Sequence, residues 1–219
     1  MTSDLTATNR SRPRRRAERG RFDRAEGNAI IDEAYVAHVG FVIGGLPHVL
    51  PMTFGRIDDV LYLHGAVGNA MLRASTDAEV CVTITLLDGL VLARSAFHHS
   101  MNYRCVVLFG TATRVDDPVE KHRAFDAIVE HTLRGRSAVA RPSNDTEFRT
   151  TLVLALPIRE GSVKIRADGA SDEPEDVDLP VWAGVLPLRL EAGTPVQDPE
   201  QMATGPRGLP APVFDRDLR

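Results

Sequence analysis

The side chains best suited to chemistry crowd between Leu90 and Gly110. There a polar block from Arg94 to Arg104 separates an apolar run from the strand-like Val106-Val107-Leu108-Phe109. At its centre stand His98 and His99. Adjacent histidines on a loop can bind a metal or a haem iron, hold an anion or deliver protons. On a strand, neighbours point to opposite faces, so both reach one ligand only from a loop or bulge; otherwise at least one is structural. No Cys-x-x-Cys or His-x-x-x-His spacing supports a dedicated metal site. Arg94 and Arg104 bracket the block, suited to a phosphate or carboxylate, or else to ordinary ion pairs. A third histidine, His64, ends an apolar run just before Gly65-Ala66-Val67-Gly68-Asn69. It could donate to a ligand or simply cap a solvent-facing turn. The small-residue loop opens a short helix from Ala70, whose free backbone N–H groups could hold an anion.

These groups need a scaffold, and 219 residues suffice for one domain with a full core and tails. Hydrophobic residues make up 43% and charged residues 26%, the composition of a soluble globular protein. A net charge of −4 gives no overall pull toward nucleic acid. Arginines nevertheless crowd the first two dozen positions (Arg10, Arg12, Arg14, Arg15, Arg16, Arg19, Arg21, Arg24), and an acidic run spans Asp172 to Asp178. The arginines read as a solvated tail; a nucleic-acid contact is disfavoured because only Phe22 interleaves with them. Two cysteines, Cys81 and Cys105, imply no disulfide framework and fit a reducing compartment. With no apolar leader core and no apolar run of membrane-spanning length, the expectation is a cytoplasmic protein without a membrane partner.

The elements follow from periodicity. Residues 1–20 lack an apolar period and are expected to be a flexible, Arg-rich tail or to drape over a partner subunit. Asp23 caps a first helix carrying Ala29, Ile30, Ala34 and Tyr35. Val36–Ile43 and His48–Thr53 form a hairpin about Gly44-Gly45, and Leu61–His64, after the Asp58-Asp59 turn, completes a three-stranded meander. Glu79–Leu87 and Val106–Val115 are strands. Pro118–Leu133 is the clearest helix, its stripe made by Ala124, Phe125, Ile128 and Val129. A loop over Gly135–Asn144 precedes strands at Thr151–Leu156, Val163–Arg166 and Val181–Leu190, the last an edge strand because of Pro187. Lys164 and Arg166 form a solvated face or a ligand rim. Trp182, the sole tryptophan, covers a ligand edge or packs in the core. From residue 193 onward an extended Pro/Gly-rich tail is expected. The fold class is mostly β: an antiparallel barrel with helices over its openings.

Four stretches together carry a resemblance: Glu18–Asp23, Leu61–Gly65, Val82–Arg104 and Pro180–Pro187. They resemble the flavin-nucleotide-binding branch of the pyridoxamine-5′-phosphate-oxidase-like split-barrel proteins, which includes the nitroimidazole reductases. The likeness covers roughly residues 17–190. It implies a six-stranded antiparallel split β-barrel with flanking helices over residues 21–192, homodimeric, with FMN in a groove between subunits. By that analogy His48, Val49, Leu50, Pro51 and Met52 lie along the isoalloxazine edge; Leu63, His64 and Gly65 flank the ring or ribityl chain; Gly68, Asn69 and Ala70 face the phosphate; Arg104 and Cys105 come in from the neighbouring strand; Trp182 covers an edge.

Two positions depart from the pattern. Relatives commonly place a basic residue where this chain has Asn69-Ala70, and Cys105 stands where a Ser or Gln is expected. The implied function is an FMN-dependent oxidoreductase acting on a small molecule, compatible with a nicotinamide donor, in which His64, His98 and His99 contact substrate or deliver protons. The alternative is a flavin- or haem-binding storage or sensor protein of the same fold.

Overall fold

The computed structural model describes residues 4–14, 17–205 and 210–214; Arg15 and Arg16 of the arginine cluster lie outside them. The chain falls into two compact units, Met1–Leu188 and Arg189–Arg219.

In the first unit a short strand β1 (Gly20–Arg21) leads into helix α1 (Arg24–Glu33). As the sequence predicts, Asp23 caps α1 by accepting from the Glu26 N–H. Strands β2 (Ala37–Ile43) and β3 (Leu46–Met52) form the expected hairpin, register Gly40↔Val49, with Gly44 and Gly45 both at positive φ (58° and 81°). Strand β4 (Phe54–Ile57) was not anticipated, and it corrects the meander. The partners of β5 (Val60–Ala66) are β4 and β8, not the β2–β3 hairpin. Asp58, at φ 50°, makes the β4–β5 turn, and Phe54, wholly buried, anchors the extra strand.

Helix α2 (Ala70–Ser75) is followed by the longest strands, β6 (Ala78–Leu92) and β7 (Ser100–Arg114), paired along almost their whole length with a bulge between Leu87 and Gly89. Helix α3 (Pro118–Thr132) matches expectation. Helix α4 (Asp145–Thr150) fills the gap between the Gly135–Asn144 loop and the Thr151–Leu156 strand, to which the sequence reading assigns no element. Its Asn144/Glu147 capping box was visible in the sequence. Strands β8 (Thr151–Pro157), β9 (Glu160–Arg166) and β10 (Gly184–Pro187) complete the sheet; β10 pairs only with β6, the edge position that Pro187 implies. The strand path β3-β2-β6-β7-β8-β5-β4 does not close on itself, which makes the barrel split. The second unit, expected to be wholly extended, holds one short helix α5 (Pro199–Thr204).

Two cores fill the sheet. Leu61, Leu63, Val82, Ile84, Val106, Leu108, Leu154 and Leu156 pack inside the barrel with Ile30 and Ile31 of α1. Alternation sends Tyr62, Val153 and Ala155 to the other face, where Ala124 and Ile128 of α3 cover them.

The N-terminal segment differs from the flexible tail read from its composition. Leu5 is only 3% exposed and joins the main core, and Thr6 bridges Glu160. Arg10 holds Glu160 and Glu79 (2.7 and 2.8 Å) and lies over the Phe109 ring. One buried leucine and a shared arginine supply what an averaged composition hides. The Glu160 carboxyl is held at about 2, first by the hydrogen bonds from Arg10, against a burial penalty, and then by Thr8. Its folded value lies below the unfolded one, so this docking is fully present above about pH 4.3 and fades as pH falls toward 2. Hydrogen exchange at residues 4–12 is expected to accelerate over that window while the barrel stays protected. Equal protection at both ends of the window would show that the contact does not hold the segment.

Candidate functional site

The pleat decides which predicted residues meet. Along β5, Leu61, Leu63 and Gly65 face the barrel interior, while Tyr62 and His64 face α3. Leu63 is wholly buried and has no surface to offer a ligand. Gly65 is required by packing: a Cβ there would sit 2.8 Å from Cδ1 of Leu72 on α2. His64 opens instead on a cavity of about 290 Å³. Phe125, Ile128 and Val129 of α3 form its apolar side. Asp126 of α3, Ser137, Arg141 and Ser143 of the following loop, Glu147 of α4 and Thr151 of β8 form its polar side.

That loop is pinned from both ends. Glu130 accepts from the N–H groups of Gly135 and Ser137, and Arg141 forks onto Glu147 (2.7 and 3.1 Å). Burial pushes the His64 imidazole below its ordinary value, so it is neutral at pH 7. Its Nδ1 is buried without a hydrogen-bond partner.

The phosphate-facing loop is committed to the helix it starts. The Asn69 side chain accepts from the Met71 and Leu72 N–H groups (2.9 and 3.2 Å), and Ala70 is the first residue of α2. A side chain at Gly68 would meet only open space. No cation occupies the Asn69-Ala70 positions, as the sequence already indicates.

Arg104 and Cys105, paired in the sequence reading, face opposite ways as strand neighbours must. Arg104 is gripped by Glu33 of α1 (2.8 Å) and Asp88 of β6 (2.7 Å). Cys105, half-buried, lies opposite Thr85 and Lys164, and burial raises its thiol above the ordinary value. His48, Val49, Leu50, Pro51 and Met52 lie on β3, an end strand of the path, with Val49 63% exposed. The hairpin also exposes Val42 and Leu46, so it is an apolar sheet edge that invites a covering partner.

The two adjacent histidines sit at the far end of the β6–β7 hairpin and do not converge. His98 ends a single 3₁₀ turn and approaches Glu173 (Nε2–Oε1 3.4 Å), whereas Nδ1 of His99 bonds the Ser95 carbonyl (3.0 Å). Beside them Arg94 pairs with Asp172, whose carboxylate is 3% exposed and also accepts from the Arg94 and Ser95 N–H groups. Burial alone would raise the Asp172 carboxyl, but those hydrogen bonds outweigh it and hold it low. The acidic run is thus in part the clasp that closes this hairpin. Trp182 packs against Gly184, whose Cβ would lie 2.9 Å from the ring, and shows an otherwise exposed indole. Among the described residues no group of three metal-ligating side chains occurs, and no helix is long and apolar enough to cross a membrane.

The split sheet and the placement of α1–α3 recur in known proteins. The pyridoxamine 5′-phosphate oxidase family profile matches residues 23–165. This chain belongs to that family. Within the fold it is similar to the flavocytochrome Anf3 from Azotobacter vinelandii, at 33% identity and TM-score 0.87 over 97% of both chains. A FAD and heme binding protein from Mycobacterium smegmatis gives 34% identity and TM-score 0.83 over 91% of this chain and 97% of that one. A candidate 5-nitroimidazole antibiotic resistance protein from Bacteroides thetaiotaomicron gives 27% identity and TM-score 0.55, over 67% of this chain and 86% of its own. A search of curated proteins finds no match. The family expected from the four sequence stretches is therefore the right one.

Proposed function

We propose that this family member is a homodimeric flavin- and haem-binding redox protein whose flavin is FAD rather than FMN. The observation that carries the reading is likeness over nearly the whole chain, at 33% and 34% identity, to a flavocytochrome and to a FAD and heme binding protein. The residues fit a flavin at the β3 edge. An unpaired strand edge offers backbone donors and acceptors, and Val49 and Leu50 offer apolar surface for a tricyclic ring. A second copy of the chain covers that edge and completes the groove.

The choice of FAD rests on charge. FMN ends in a phosphate dianion, and the Asn69-Ala70 loop presents no cation to it, its one amide oxygen being spent on the cap. Each phosphate of FAD carries a single charge and has less need of a direct basic partner. A charge-assisted contact contributes about 1.5–3 kcal/mol, so its absence weakens FMN about tenfold or more.

In this reading the flavin supplies the electron chemistry and the chain holds it, excludes water and admits a small-molecule substrate and a nicotinamide donor. His98 beside Glu173 is the histidine best placed to pass a proton; His99 is occupied by the Ser95 carbonyl. Titration of cofactor-free protein with each nucleotide tests the cofactor choice. FAD is expected to bind more tightly than FMN, and Ala70→Arg to tighten FMN alone. Tighter FMN binding by the unaltered chain would overturn the choice of FAD, and unchanged FMN affinity in Ala70→Arg would remove the loop from the site.

A binding or sensing role without turnover is the second reading. It is favoured by the neutralised state of Arg104, which leaves no free cation there for an anionic substrate. Bleaching of the flavin bands by NAD(P)H followed by reoxidation with an acceptor decides for the enzyme; bleaching without acceptor-dependent recovery decides for the sensor.

A further inference from the structure

We propose that the outward face of β6, β7 and β10, with the acidic segment beside it, is the docking site for a soluble electron-transfer protein whose own face is apolar at its centre and ringed by lysine or arginine. This rests on the redox reading above and names the partner of that chemistry.

The register assembles the face. Val91 pairs with Ser100 and Val185 and is wholly buried, so the neighbouring row, Leu90 with Met101 and Leu186, points the other way. Met101 and Leu186 are each 51% exposed. On the other side of Val91, Leu92 lies opposite Gly184. A Cβ on Gly184 would strike the Trp182 ring, which places that indole on the same outward face, 66% exposed. Phe97, 89% exposed, stands at the tip of the same hairpin. Large apolar side chains left this open and this close together mark an interaction surface.

The charge beside the face says what covers it. Residues 167–188 hold six acidic residues and no lysine or arginine, so the stretch carries −6; with 26 basic and 24 acidic residues elsewhere, the remainder of the chain is +2. Asp172 pairs with Arg94, Glu173 faces His98 and Asp168 meets Arg19, but Glu175, Asp176 and Asp178 hold no cation among the described residues. Both ends of this segment are tied to the face. Asp172 accepts from the Arg94 and Ser95 N–H groups just beyond Leu92, and the chain returns at Trp182 over Gly184. The result is an apolar centre with an acidic rim.

Other occupants meet that rim as an obstacle. It repels nucleic acid and anionic lipid. A second copy joined about a two-fold axis would set the rim against itself, because such an interface presents the same patch from both sides. A basic partner turns the same charge into attraction, which speeds encounter and leaves a small, short-lived complex, the kind that electron exchange uses.

Calorimetric titration of the cofactor-loaded protein with mitochondrial cytochrome c, a basic one-electron carrier, tests the surface. Binding is expected at low salt, with affinity falling at least about tenfold between about 20 mM and about 200 mM salt. Glu175→Gln, Asp176→Asn and Asp178→Asn together should weaken it at least about tenfold at low salt and flatten the salt dependence. Trp182→Ala should weaken it with the salt dependence retained, and an acidic plant-type ferredoxin should not bind. In NAD(P)H-driven reduction of cytochrome c, one hydride reduces the flavin and two carriers each remove one electron, with release of one proton. There the triple variant should slow carrier reduction while flavin bleaching by NAD(P)H keeps its rate. Far-UV circular dichroism confirms that each variant is folded. Undiminished binding in both folded variants, or no binding by the unaltered protein, overturns the docking site, and flavin bleaching then leaves the redox reading standing. Binding without any bleaching overturns the electron-transfer role together with that reading. A dimer that dissociates in Trp182→Ala, or attachment of the unaltered protein to phosphatidylcholine vesicles, gives the face to another occupant and overturns the proposal.

Discussion

Gly55→Val is expected to cost about 3 kcal/mol or more of stability and, where the chain still folds, to displace the helix that walls the cavity beside His64. A Cβ on Gly55 would lie 2.7 Å from the Ile128 nitrogen and 2.8 Å from the Ala127 carbonyl carbon. Both are backbone atoms of α3, so no side chain can turn aside and the helix itself must lift from β4. The same helix carries Phe125, Ile128 and Val129, which wall the cavity. Urea denaturation gives the stability change, and hydrogen exchange along α3 reports the displacement of the helix. A change below about 0.5 kcal/mol, the range of an ordinary surface substitution, would mean that α3 does not bear on β4 there.

Arg104→Ala is expected to destabilise by about 2–3 kcal/mol, below the cost of breaking a fully buried pair because the group is partly exposed. The change leaves Glu33 and Asp88 facing one another without the cation that joins α1 to the β6–β7 hairpin. Arg104→Lys should recover only part of the loss, because an ammonium cannot reproduce the fork that serves two carboxylates at once. Thermal melting measures the loss, and flavin titration of the folded variant separates the two roles sequence reasoning left open. An ion-pair role predicts lower stability with flavin affinity nearly unchanged. A phosphate-binding role predicts the reverse.

How much of this was legible in the sequence depended on whether the signal was local. Asp23 before α1, Gly44-Gly45 between β2 and β3, and Pro118 at the start of α3 act within a few residues, and each element stands where they put it. Strand β4 was missed because its four residues carry too little alternation, and only Phe54 marks its inward face. Pairing was less legible than the strands themselves. The break at Thr53 sends β5 to β8, a partner some ninety residues away that no local pattern reveals.

The candidate site divided along the same line. The histidines and arginines were conspicuous by type, but their neighbours in space decide their roles, and those neighbours are remote in sequence. Asp172 closes on Arg94 across 78 residues, and Glu33 reaches Arg104 across 71. The cavity beside His64 escaped notice because its walls come from α3, from a loop that reads as featureless and from a six-residue helix. Two signals were present all the same: the Asn144/Glu147 capping box that marks α4, and the alternation along β5 that sends His64 away from Leu63.

The most direct test of the central claim is chemical identification of what the protein carries. Protein produced in cells supplied with iron and riboflavin, then extracted with acid and organic solvent, is expected to release FAD and haem in equal molar amounts. Release of FMN without haem, or of no cofactor from protein that also takes up neither FAD nor haemin when both are added, would contradict it.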